Sequence, residues 1–202
     1  MDFDVEIDIP GDFSVYNSLT AIAVCRHFGV PVEDIKKALK VARVKGRIEM
    51  IKVSDEFTLM IDYAHNAMAL ESLLDTLRDY HPERIVTVFG CGGNRSKTRR
   101  YEMGEVSGKL SDFTIITSDN PRFEEPQAII DDIVVGMKKT DGKYITICDR
   151  KEAIKYAIEH GQPGDVIILA GKGHETYQEI KGVKHDMDER VLIKEVLEEL
   201  KK

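Results

Sequence analysis

The chain has 202 residues and a formal net charge of −7 at pH 7, because 36 Asp and Glu outnumber 29 Lys and Arg. Hydrophobic residues make up 42% and charged residues 32% of the chain, which is typical of a globular protein and argues against intrinsic disorder. The acidic balance argues against a general nucleic-acid-binding protein, and no apolar run approaches the roughly 18 residues of a membrane span.

The first 45 residues carry two helical patterns. Apolar residues at helical spacing predict a helix over 16–28, which ends at Gly29. Pro31 opens a second helix that runs to about Val41, with acidic residues in its first turn. We also expect one short strand before these helices. Since so few elements cannot enclose a core, residues 1–45 are predicted to be the end of a domain whose main part is missing.

From Gly46 onward, short apolar runs alternate with amphipathic helical patterns. The predicted strands are at 58–61, 85–89, 113–117, 144–147 and 166–169. The predicted helices are at 67–80, 98–110, 126–139, 150–160 and 187–201. Strands this apolar are typical of a mostly parallel sheet that is covered by helices on both faces, so the fold class is α/β.

Each predicted strand leads into a cluster of polar and glycine residues. The clusters are at 62–66, 90–95, 118–122, 149–150 and 170–175. Polar loops are common by themselves. Because the carboxyl ends of parallel strands lie along one edge of the sheet, however, five such clusters predict a ligand-binding crevice there.

The loop after the second of these strands contains Gly90 and Gly92 but no third glycine three places on. A nicotinamide-dependent oxidoreductase is therefore disfavoured, since its dinucleotide fingerprint is not met. The cationic side chains that follow lie at the start of a predicted helix, where the helix dipole is positive. They cost stability there unless an anion is bound, which predicts a phosphate or carboxylate near Arg95. A solvated basic patch stays an alternative for Arg99 and Arg100.

Two further clusters suggest an amino-acid ligand. Arg122 offers a planar fork that matches a carboxylate, and Asn120 both donates and accepts hydrogen bonds. Glu175, in a loop with two glycines, is suited to an ammonium group. The alternative for Arg122 is a turn with a surface arginine. The acidic residues before the last helix are explained as N-terminal capping; these are Asp186, Asp188 and Glu189.

Asp62 and His65 both lie in the first cluster, at 62–66. Their proximity suits nucleotide binding or acid–base chemistry, and the alternative is a structural hydrogen bond.

Six motifs of this chain occur in the same order in the Mur ligases. The chain resembles the C-terminal part of those enzymes. They are GDFSVYN at 11–17, GRIE at 46–49, DYAH at 62–65, FGCGGNR at 89–95, TSDNPR at 117–122 and AGKGHE at 170–175. The resemblance implies that residues 1–45 end a central ATPase domain. It also implies that residues 46–202 form a Rossmann-like C-terminal domain, which binds the incoming amino acid.

The resemblance also implies roles for individual residues. The expected nucleotide-binding residues are Asn17, Arg47, Asp62 and His65. The expected substrate-binding residues are Arg95, Asp119, Asn120, Arg122, Gly171 and Glu175. The DNPR sequence at 119–122 is the version associated with meso-diaminopimelate, because Arg122 can hold the distal carboxylate that lysine lacks.

By the same resemblance, the whole enzyme uses ATP and Mg²⁺ to activate a carboxylate of a UDP-N-acetylmuramoyl-dipeptide as an acyl phosphate, which the amine of diaminopimelate attacks. This chain lacks the phosphate-loop pattern GxxxxGK[ST]. We therefore expect no catalytic residue and no metal ligand in it, and no activity from it alone. The alternative is a non-catalytic amino-acid-binding module that works with a separately encoded ATPase.

The number and spacing of the three cysteines indicate the cellular compartment of the protein. Cys25, Cys91 and Cys148 are widely spaced and odd in number, so neither a disulfide framework nor a zinc site is predicted. The start of the chain is acidic and does not resemble a signal peptide. We expect a cytoplasmic and monomeric protein, with neither nucleic acid nor membrane as a partner.

Overall fold

The computed structural model describes residues 3–201, apart from the side chain of Asp12. This part of the chain contains seven helices and eight strands. The helices are α1 (Asp12–His27), α2 (Val32–Val41), α3 (Ala67–Arg78), α4 (Lys97–Leu110), α5 (Pro126–Met137), α6 (Arg150–Glu159) and α7 (Glu189–Leu200). The strands are β1 (Glu49–Ile51), β2 (Thr58–Asp62), β3 (Arg84–Phe89), β4 (Phe113–Ile116), β5 (Tyr144–Thr146), β6 (Asp165–Ala170), β7 (Tyr177–Ile180) and β8 (Val183–Asp186).

Six strands form one sheet in the order β1-β2-β6-β3-β4-β5. All its neighbouring pairs are parallel except β1 with β2, which is antiparallel. The predicted class, an α/β fold with a mostly parallel sheet, is confirmed.

The sheet is covered on both faces, as its apolar strands predict. Along β6, Ile168 and Ala170 belong to the core shared with α3, α4 and α5. Ile167 and Leu169 point to the opposite face and join the core shared with α6 and α7. This alternation buries both faces of the central strand, so β6 lies in the middle of the protein.

Helix α1 contributes little to these cores. Its apolar residues Tyr16 and Leu19 are 70% and 55% exposed, and Phe28 just after the helix is 77% exposed. Helix α2 buries only Ile35. No helix in residues 3–201 is long and apolar enough to span a membrane.

The strands of the structure differ from the predicted ones at three places. The strand expected before α1 is absent, because residues 3–11 have no neighbouring strand to supply hydrogen bonds. The short edge strand β1 was not predicted. The hairpin of β7 and β8 was also missed, since its residues are half-buried or exposed and carry no apolar run.

Candidate functional site

The polar clusters that follow the strands meet at one edge of the sheet. Residue Ala170 at the end of β6 is paired with Asp62 on one side and with Phe89 on the other. Phe89 in turn is paired with Ile116, the last residue of β4. Because these strand ends are in register, the loops after them converge, as the sequence predicts.

A buried lysine joins two of the predicted substrate-binding residues. The Lys172 ammonium donates hydrogen bonds to Asn120 Oδ1 at 3.0 Å and to Glu175 Oε2 at 2.9 Å. Asn120 Nδ2 donates to the same Glu175 oxygen at 2.9 Å. Burial raises the pKa of Glu175, but the hydrogen bonds from Lys172 and Asn120 outweigh it and keep the pKa below its ordinary value.

Arg122 is held by the hairpin that the sequence did not predict. Its Nε donates to Glu179 Oε2 at 3.1 Å, and its Nη1 donates to the Gly93 carbonyl oxygen at 2.7 Å. Its backbone is also paired with the hairpin, because its N–H donates to the Glu179 carbonyl. Arg122 has φ +53°, a left-handed conformation that few side chains adopt without support.

Asp119 and Gly171 face each other beneath this network. Asp119 is only 7% exposed, and its Oδ1 accepts a hydrogen bond from the Asn120 N–H. Gly171 has φ +107°, and a Cβ at that position would lie 3.3 Å from Asp119 Oδ2. A side chain there would therefore crowd the carboxylate, which explains why the position suits glycine.

The arginines at the start of α4 have different surroundings. Arg95 is exposed. Arg100 is 1% exposed and forms ion pairs with Glu124 at 2.7 Å and Asp132 at 2.9 Å. The alternative of a solvated basic patch is therefore wrong for Arg100, because two acidic residues from the next loop and helix neutralise its charge. The hydrogen bonds from Arg100 lower the pKa of Glu124 to about 2.

A second buried ion pair lies between α6 and α7. Arg150 contacts Glu189 at 2.8 Å, and both side chains are almost completely buried. Arg150 also donates to the carbonyl oxygens of Ser118, just after β4, and of Ala170, the last residue of β6. Capping was therefore the wrong explanation for Glu189, and Asp186 belongs to β8. Asp188 does cap α7, through the Arg190 N–H.

Three of the four predicted nucleotide-binding residues line one cavity of about 550 Å³. They are Asn17 from α1, Arg47 before β1, and Asp62 at the end of β2. The Asp62 carboxylate accepts backbone hydrogen bonds from Ile48 and Ala64, both at 2.8 Å. Burial raises the pKa of Asp62 despite these bonds. The sheet end and the segment before β1 are thus joined at this carboxylate.

The fourth residue, His65, is exposed and does not line that cavity. Its Nδ1 lies 2.8 Å from the Tyr63 carbonyl oxygen. The Tyr63 ring is 4.6 Å from the ring of His65 and 4.8 Å from that of His174, and the Arg47 guanidinium lies 4.9 Å from its centre. Tyr63, which the sequence did not single out, therefore connects the loops after β2 and β6.

An open depression of about 1280 Å³ lies at the opposite edge of the sheet. Its charged groups include Arg84 and Asp165, which pair with each other at 2.6 Å. None of the predicted site residues lines it, so the candidate site stays at the carboxyl edge.

The chain is similar in sequence to known proteins. Residues 46–173 match the family described as Mur ligase, glutamate ligase domain. The UDP-N-acetylmuramoyl-L-alanyl-D-glutamate–2,6-diaminopimelate ligase of Caldanaerobacter subterraneus subsp. tengcongensis is 48% identical, over 98% of this chain and 41% of that protein. The corresponding Aquifex aeolicus ligase is 44% identical, over 97% of this chain and 40% of that protein.

Solved structures agree as well. A ligase of the same name has a TM-score of 0.75 at 35% identity, over 99% of this chain and 41% of that chain. The UDP-N-acetylmuramate-alanine ligase of Thermotoga maritima shares the fold, with a TM-score of 0.73 at 19% identity, over 99% of this chain and 40% of that chain. This chain spans about 41% of the length of the first curated relative. From the match to the family over residues 46–173, this chain belongs to the Mur ligase family.

Proposed function

We propose that this chain is the C-terminal part of an ATP-dependent ligase that joins meso-diaminopimelate to UDP-N-acetylmuramoyl-L-alanyl-D-glutamate. Relatives of that name share 42–48% identity with it. In this proposal ATP phosphorylates a carboxylate of the nucleotide-linked dipeptide to give an acyl phosphate and ADP. The diaminopimelate amine then attacks the acyl carbon, an amide bond forms, and phosphate leaves.

The observation that carries this proposal is the network through Asn120, Glu175 and Arg122. The Glu175 carboxylate is suited to an ammonium group, the Asn120 amide orients that carboxylate, and the guanidinium fork of Arg122 follows two residues after the amide. Within residues 3–201, Nη2 of Arg122 donates no hydrogen bond, so one arm of the fork is available to a ligand carboxylate. Diaminopimelate carries two amino-acid heads, which suits both ends of such a site.

The substrate-binding set of the proposal is Arg95, Asp119, Asn120, Arg122, Gly171 and Glu175. We assign Arg95 to an anionic part of the ligand, because this exposed cation follows the glycine loop. We assign Asp119 and Gly171 to shaping the floor, because the glycine leaves space above the carboxylate.

At the nucleotide end, we propose that Asn17, Arg47 and Asp62 hold part of ATP in the 550 Å³ cavity, with His65 nearby. The match to the family begins at residue 46, which supports a proposed boundary between a domain end at 1–45 and a second domain at 46–202. Among the described residues, no group of three or more His, Cys, Asp or Glu side chains is arranged for a metal ion. That this chain supplies no Mg²⁺ ligand stays a prediction.

All three cysteines are free thiols. This supports our proposal of a reducing compartment, the cytoplasm, for the protein. The monomeric state stays a prediction, which sedimentation equilibrium would check.

Calorimetric titration of the chain with meso-diaminopimelate and, separately, with L-lysine tests the proposed ligand. We expect meso-diaminopimelate to bind at least about tenfold more tightly, because only it carries a second carboxylate for Arg122. Equal affinity for the two amino acids, or binding of neither, would contradict the proposal.

A further inference from the structure

Lys172 is a fully buried lysine at the centre of the candidate substrate site, with 0% of its side chain exposed. Lysine is almost never buried to this extent unless it is paired. Here the ammonium group donates to Asn120 Oδ1, to Glu175 Oε2 and to the Tyr177 carbonyl oxygen. All three of its protons are therefore used within the protein, and none is left for a ligand.

The partners of Lys172 include Glu175, the group to which the proposed function assigns the ligand ammonium. Asn120 Oδ1 also accepts the Glu179 N–H at 2.9 Å, which fixes the orientation of the amide. With Oδ1 occupied twice, Nδ2 is directed to Glu175 Oε2. That carboxylate oxygen thus receives both Lys172 and Asn120, while within residues 3–201 the second oxygen, Oε1, accepts no hydrogen bond.

We infer that Lys172 is a positioning residue for an amine-bearing ligand. It holds Asn120 and Glu175 in one arrangement and occupies one oxygen of Glu175, which leaves the other for the ligand ammonium. This inference rests on the proposed function and extends it to a residue that does not contact the ligand.

The charges around Glu175 define how the inference can be tested. Lys172 and His174 lie on its own loop, Asn120 lies on the loop after β4, and Tyr63 lies on the loop after β2. Without Lys172, burial would still raise the pKa of Glu175, while one of the hydrogen bonds that lower it would be lost. Glu175 would then become protonated at a higher pH and lose its attraction for an ammonium group.

The test compares Lys172→Met with wild type by calorimetric titration of the chain with meso-diaminopimelate from about pH 8 to about pH 5. We expect binding at least about tenfold weaker at pH 7, with a deficit that widens toward pH 5. Lys184→Met is the control, because Lys184 lies on the exposed strand β8, with its ammonium 3.9 Å from the centre of the Tyr177 ring on β7. It should bind like wild type. His174 is present in all three proteins, so it does not distinguish them.

The outcomes separate the inference from the proposed function. Equal binding by Lys172→Met and wild type, or a loss of the same size at every pH, would overturn the positioning role alone. Absence of binding by wild type would overturn the proposed function and the inference with it.

If Lys172→Met does not fold, the double variant K172M/E175Q, which leaves no buried carboxylate unpaired, is compared with E175Q. Because Lys172 acts through Glu175, we expect the two to bind equally. A further tenfold loss in the double variant would overturn the inference.

Discussion

The backbones of Gly46 and Gly173 are in direct contact, although the two residues lie 127 positions apart in the sequence. A Cβ built on Gly46 would lie 2.7 Å from Gly173 Cα and would overlap its carbonyl carbon. Arg190 reinforces the contact, because it donates to the Gly173 carbonyl oxygen at 3.2 Å and pairs with Glu49. The segment that leads into β1 is thus fixed to the loop that carries Lys172 and Glu175.

Replacing Gly46 by alanine should destabilise the fold. The residue has φ +71° and no room for a Cβ, so the variant combines backbone strain with a backbone clash. We expect a loss of at least about 2 kcal/mol in the free energy of unfolding, measured by denaturant titration. Gly29→Ala is the matched control, because Gly29 has φ +76° and no atom within 4 Å of an added Cβ. Equal losses of stability in the two variants would contradict a clash between the added Cβ and the Gly173 backbone.

Arg122→Ala should change ligand preference. Removing the fork removes the proposed partner of the distal carboxylate, so we expect binding of meso-diaminopimelate to weaken about tenfold or more and that of lysine to change much less. Calorimetric titration with both ligands measures this ratio. Glu179→Gln removes the negative charge that pairs with Arg122 but keeps the guanidinium, so it should preserve the preference. Equal losses for both ligands in Arg122→Ala would argue against the assignment.

Glu124 should make stability depend on pH. Its carboxylate is ionised in the folded protein down to about pH 2, because Arg100 holds its pKa there, whereas the ordinary value is 4.5. The stabilisation is therefore complete above about pH 4.5 and is lost as pH falls toward 2. Since the side chain is 31% exposed, solvent screening limits the contribution to about 1–2 kcal/mol.

Glu124→Gln tests this dependence. Its deficit in unfolding free energy should be full at pH 7 and shrink between about pH 4.5 and pH 2. Glu125→Gln is the control, since the neighbouring Glu125 forms no ion pair within the described residues. A deficit of Glu124→Gln that is constant with pH would show that the Arg100 pair does not contribute through charge.

Arg150→Ala should be among the most damaging substitutions in the fold. It would leave Glu189 buried without a partner and would release the carbonyl oxygens of Ser118 and Ala170. We expect a loss of about 3–5 kcal/mol, measured by chemical denaturation. Lys151→Ala removes the neighbouring cation, whose ion pairs with Glu195 and Glu199 lie at the surface. It should cost far less, and similar losses in the two variants would contradict the importance of burial.

The regular elements of the α/β part were predictable because their apolar periods are local. The pattern at 126–139 predicted α5, and the run at 85–89 predicted β3, since each needs only a buried face. The short strands β1, β7 and β8 were not predictable in this way. Their residues are partly exposed, so only pairing with a neighbour gives them their conformation.

The sequence by itself determined which chemistry lies at the carboxyl edge. Asp62, Asn120, Arg122 and Glu175 lie at the ends of apolar strands or in the loops that follow them, and parallel pairing brings such positions together. Only the tertiary structure decided which charges neutralise one another. Lys172 is 52 residues from Asn120, and Arg150 is 39 residues from Glu189. Because hydrogen bonds and ion pairs act over a few ångströms, contacts between such distant positions depend on how the loops and helices pack, and no local pattern encodes them.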